Sequence, residues 1–211
     1  MSTTALPLTL PGQHEYHGEP FPLAVEVTTD SLATACTWIS ENAADLETQA
    51  AQHGVVLLRG LPLATPEDFD AAVTAFGFQN FSYADSLSNA YRLNFTERVF
   101  SANEAPPEVT IFLHHEMAQT PIYPSKLFFF CQSAPETGGA TPICRSDILW
   151  EKLTAQCPAF AADCQCKGLK YSNVMPAEAD KDSGMGRSWQ STFSAETHEA
   201  AQDRMTELDY T

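Results

Sequence analysis

Between residues 104 and 144 the chain never runs far without a turn, and this limits what it can fold into. "EAPPEV" is a loop, "TIFLH" an extended apolar stretch and "TPIYPS" a turn. "KLFFFCQS" is a second apolar stretch, "APETGG" another turn and "ATPIC" a third stretch. Apolar and aromatic runs this short, bounded by Pro, Gly and Ser, predict strands rather than helices. Antiparallel strands are therefore expected around residues 111–116, 127–132 and 140–144.

The flanking sequence carries the helices. Leu32, Trp38, Ile39, Ala43 and Leu46 recur at helical spacing within 30–52. "HGVVLLRGLPL" then reads as a buried strand, opened by Gly54 and closed by Gly60 and Pro62. In "TPEDFDAAVTAFG", Thr65 caps, Pro66 fits the first turn beside Glu67 and Asp68, and Gly77 stops the helix. Further helices are expected from Asp147 and over "SAETHEAAQDRMTEL", with a loop over 173–189 between them. Helices followed by antiparallel strands predict a mainly β fold with flanking helices, a jelly-roll barrel (double-stranded β-helix). Residues 1–22, rich in Pro, Gly and His, are expected as an extended arm, on which His14-Glu15-Tyr16-His17 reads as solvated.

Charge excludes some functions. With 27 Asp and Glu against 11 Lys and Arg, the formal charge is -16. Such a surface repels phosphate backbones and anionic lipid, so neither nucleic acid nor a membrane is an expected partner. "MSTTALPLTLPGQ" lacks the basic and apolar regions of a signal peptide, and "LFFFC" is too short to span a bilayer. A cytoplasmic protein is expected. Its six cysteines show no CxxC pair, and the CxC at Cys164 and Cys166 has no histidine nearby, so ordinary thiols are expected.

"LHHEM" carries the most chemistry. At a strand end, His114 and Glu116 share a face while His115 points away, because strand side chains alternate. Imidazole plus carboxylate suits non-haem iron, in the set of two histidines and one carboxylate with open positions. A polar strand end accounts for the same three residues. Downstream, Gly138-Gly139 can form a tight turn, and the Thr141 hydroxyl can donate to a carboxylate or simply face solvent.

"LHHEM…YPSKLFFFCQSAPETGGATPI" resembles the core of the TauD/TfdA-like (taurine dioxygenase superfamily) Fe(II)- and 2-oxoglutarate-dependent oxygenases. Within them it is most similar to the branch of clavaminate synthase-like and peptide-antibiotic hydroxylases. The matching elements are Leu113, His114, Glu116, Pro124, Phe128 to Phe130, Gly138, Gly139, Thr141 and Pro142. "HGVVLLRGLPLATPEDFDAAVTAFG" is similar to the family's opening strand and helix, and "GMGRSWQSTF" to a segment of its insertion. The resemblance implies a clavaminate synthase-like jelly roll over 23–211, with about 146–211 matching the insertion. It implies Fe(II) held by His114 and Glu116, with no catalytic residue beyond the metal ligands. It also implies 2-oxoglutarate as co-substrate, its far carboxylate met by Thr141, and O2 and a small molecule as the other reactants.

Two departures accompany it. His115 stands where relatives often carry Asn or Thr. The family's second metal histidine and its 2-oxoglutarate-clamping arginine follow the Gly-Gly-x-Thr element, and this chain has no match for either. His198, Arg187 and Arg204 fall in the part that matches the insertion. A fold incomplete at the C-terminus is therefore expected, resembling the N-terminal two-thirds of such an enzyme. Two functions compete: a dioxygenase acting on an unactivated C–H bond, and a truncated, inactive fragment or pseudoenzyme.

Overall fold

The computed structural model describes residues 3–82, 86–88, 90, 92–102, 108–180 and 186–210. The loops expected over 104–109 and 173–189 lie partly outside the described residues. The chain divides into two units. The first comprises residues 1–79, 130–140 and 145–152, and the second 80–129, 141–144 and 153–211.

In the first unit, β1 (Thr4–Pro7), β4 (Leu23–Thr28) and β5 (Val56–Arg59) form a sheet in the order β1-β4-β5. β1 runs antiparallel to β4, with Thr4 opposite Thr28, and β5 runs parallel to it, with Leu23 opposite Val56. The central strand carries the buried residues Ala24 and Val27. β5 was expected to be buried, but as an edge strand it is only half-buried. Residues 3–22, expected as an extended arm, lie in β1 and in a hairpin of β2 (His14–Tyr16) and β3 (Glu19–Phe21). The His14 ring stacks on Tyr16, and His17 Nε2 lies 3.3 Å from Glu151 Oε2.

The helices of this unit follow their local punctuation. α1 (Leu32–His53) starts where the Ser31 side chain accepts from the Thr34 amide, and ends at Gly54, φ 81°. It buries Ala35, Ile39, Leu46 and His53 along one face, as the periodicity predicts. α2 (Pro66–Ala75) opens on a reciprocal capping box. Thr65 Oγ1 accepts from the Asp68 amide at 3.1 Å, and Asp68 Oδ2 accepts from the Thr65 amide at 3.0 Å. Phe69 on α2 stacks on Phe130, ring centroids 5.3 Å apart.

Further helices are α3 (Ser146–Gln156), α4 (Pro158–Lys167), α5 (Trp189–Phe193) and α6 (His198–Glu207). Cys164 and Cys166 lie in α4, and all six cysteines are free thiols. The second unit buries Leu87, Met117, Phe193, Ala195 and Ala201 in one cluster, with Phe81, Trp189, Met205 and Tyr210 against it.

Two expectations need correction. The mainly β content is not what the described residues show, since helix outweighs strand among them. The antiparallel strands expected at 111–116, 127–132 and 140–144 are absent too: none of these stretches joins a sheet, and among the described residues the middle of the chain shows only the bridge Asn94–Phe100. Alternation and turn chemistry make a segment extended, but only a hydrogen-bonded neighbour makes it a strand. These stretches are laid out with large apolar side chains in solvent, Phe112 at 80% exposure the extreme among their residues. Gly138 and Gly139 do turn the chain, with φ 67° and 66°, but pair no strands.

Candidate metal site

The site is built on the extended stretch that ends at Glu116. Residues 111–115 belong to no helix or strand, and a turn follows at once over 116–119. Thr120 closes it: its amide donates to the Met117 carbonyl at 3.0 Å, and its hydroxyl to the Ile122 carbonyl at 2.6 Å. Met117 takes the left-handed conformation, φ 59°, and its side chain is buried at 2% exposure in the second unit's cluster. A non-glycine residue holds such a backbone only when its surroundings over-determine it. The buried methionine is that determinant, and it fixes its neighbour Glu116.

Across this end of the stretch, residues two apart meet. His114 Nε2 lies 3.9 Å from Glu116 Oε2. His114 Nδ1 is 2.7 Å from the Phe112 carbonyl, an acceptor only, so Nδ1 donates to it. A ligating histidine is typically set in this way, its second nitrogen donating to a backbone carbonyl. The Glu116 side chain is 16% exposed and that of His114 57%, so the pair has one sheltered and one open member. Arg92, which no motif singles out, places Nη2 3.5 Å from Glu116 Oε2. No local spacing signals this contact, since it spans 24 positions.

The other expected site residues are placed as follows. His115 is exposed beside the pair. Thr141 belongs to the same unit and is exposed, with no hydrogen bond joining it to His114 or Glu116. His198 packs its ring on Trp189, centroids 4.7 Å apart. The Arg187 guanidinium donates to the Ser86, Ser88 and Ser191 carbonyls, and Arg204 pairs with Glu207 at 3.1 Å. Among the described residues no group of three His, Cys, Asp or Glu could hold a metal ion. An imidazole and a carboxylate are nonetheless two of the donor types that Fe(II) takes.

Comparison with known proteins gives this geometry its setting. The profile of the family described as "Taurine catabolism dioxygenase TauD, TfdA family" matches residues 17–209. The chain belongs to the TauD/TfdA family. A clavaminate synthase-like protein of Arabidopsis thaliana is 35% identical over 206 residues, which cover 94% of this chain and 62% of the relative. The chain thus spans less than two-thirds of the length of that relative. Among the described residues no helix is long and apolar enough to cross a membrane.

Proposed function

We propose that this TauD/TfdA chain carries part of the active site of an Fe(II)- and 2-oxoglutarate-dependent dioxygenase. It would oxidise an unactivated C–H bond of a small molecule, such as an amino acid or a secondary-metabolite precursor. The supporting observation is the approach of His114 Nε2 to Glu116 Oε2, with Nδ1 tied to the Phe112 carbonyl. His114 and Glu116 would hold the iron, and Thr141 would donate its hydroxyl to the far carboxylate of 2-oxoglutarate. When bound, the iron supplies oxygen activation coupled to decarboxylation of 2-oxoglutarate to succinate.

The chain's own residues set the conditions for that chemistry. His114 would offer Nε2, its Nδ1 being tied to the Phe112 carbonyl. The Glu116 carboxylate brings the negative charge that offsets a dication, and its position is inherited from buried Met117. A carboxylate at this position favours hydroxylation over halogenation, which needs a small residue there to admit halide. Residues 23–211 are read as one oxygenase domain, with 111–116, 127–132 and 140–144 as its barrel segments.

Succinate release with Fe(II), ascorbate and 2-oxoglutarate tests the reading. A protein of this sequence extended to the length of the relative is expected to turn over, and His114→Ala to abolish it. The 211-residue chain alone is expected to give little succinate, because two ligands keep little of the chelation that holds Fe(II) against water. A pseudoenzyme would give no turnover in either protein, and an inactive fragment would give none in the 211-residue chain alone.

A further inference from the structure

We propose that Arg92 is a positioning residue of this site, holding the Glu116 carboxylate in the orientation that faces His114. The inference rests on the proposed metal site and deepens it. The two side chains are largely withdrawn from water, Arg92 at 12% exposure and Glu116 at 16%, with Nη2 3.5 Å from Oε2. A charge-assisted contact in such surroundings is screened far less than one on the surface.

The guanidinium is itself fixed before it meets the carboxylate. Nη1 donates to the Ser101 carbonyl at 3.2 Å, and the guanidinium carbon lies 5.6 Å from the centroid of the Phe100 ring. The loop supplying both contacts is closed on itself. The Ser101 amide donates to the Leu93 carbonyl at 2.8 Å, the Leu93 amide donates to Ser101 Oγ at 3.0 Å, and Asn94 bridges Phe100. Arg92 therefore reaches Glu116 from a rigid base.

The chemistry explains the need for an arginine. Glutamate has several rotatable bonds, and a ligand that must be ordered at the moment of binding loses affinity. A guanidinium has no acceptor and cannot itself ligate the metal. A lysine would keep the charge but lose the planar fork.

Cobalt(II), titrated into the 211-residue chain and followed by its visible absorption, gives a readout independent of turnover. The chain is expected to bind Co(II) weakly but saturably, and His114→Ala not to. Arg92→Met is expected to bind about 10- to 100-fold more weakly, the usual effect of losing a partner behind a ligand, with Arg92→Lys between the two. Thermal unfolding of each variant separates stability from affinity, since a merely structural arginine would lower Tm and leave the affinity of the folded protein unchanged. Unchanged Co(II) affinity in folded Arg92→Met overturns the proposal, and if that variant does not fold, unchanged affinity in Arg92→Lys does so. If wild type and His114→Ala titrate alike, the metal site itself is refuted and this inference falls with it.

Discussion

At the scale of single residues, the firmest constraints are steric ones. Gly60 has φ 83°, and a Cβ there would sit 2.7 Å from the Val27 carbonyl oxygen on the central strand. Neither the backbone nor that oxygen can move cheaply, because Val27 is fully buried. Gly60→Ala is therefore expected to destabilise the chain by about 1–3 kcal/mol, read as a lower denaturant midpoint with unchanged slope. Gly60 was legible in the sequence only as the end of an apolar run; the carbonyl that makes it obligatory lies 33 positions upstream. The same contrast runs through the site. His114 and Glu116 could be paired from the sequence because extended backbone places residues two apart on one side. Arg92 could not, because nothing in "YRLNF" points to a carboxylate beyond the next turn.

Among elements, α2 was legible to within a residue or two because its signals are local. Thr65, Pro66 and Asp68 make the cap among themselves, whatever the rest of the chain does. The stretches at 111–144 are the opposite case, since a strand exists only through a neighbour and sequence pattern cannot supply one. α3 offers a titratable test of a local signal. Arg145, just before the helix, forms an ion pair with Asp147 in its first turn. That hydrogen bond lowers the Asp147 pKa from 3.8 to about 2. A carboxyl depressed on folding contributes stability that is fully present above its unfolded pKa and lost as pH falls through its folded one. Asp147→Asn should thus lower Tm at pH 7, and the gap to wild type should close between about pH 4 and pH 2. Because Asp147 is more than half exposed, the gap should also shrink in high salt.

For the molecule as a whole, the surroundings of Glu116 include sequence far from it. Glu116 is set by Met117, and Met117 packs in a cluster with Phe193, Ala195 and Ala201. Arg187 joins the same regions, donating to the Ser86 carbonyl at 2.7 Å and the Ser88 carbonyl at 3.1 Å. Ser86 and Ser88 are buried, so losing that guanidinium takes a charged donor from two carbonyls withdrawn from water. Arg187→Met is expected to cost at least about 2 kcal/mol. Amide exchange should report it as lost protection at Ser88 and Thr192, with β4 and β5 unaffected. These contacts close over 101 and 99 positions of chain, which has a consequence for synthesis. A ribosome adding about 5–20 residues each second exposes Ser86 on the order of 5–20 s before Arg187. During that interval Leu87 and Met117 have neither Phe193 nor Ala201 to bury them. The burial of Met117 is thus among the last features to set in a newborn chain, and a message cut short before codon 187 would yield a product whose β1-β4-β5 sheet can form while Met117 lacks Phe193, Ala195 and Ala201.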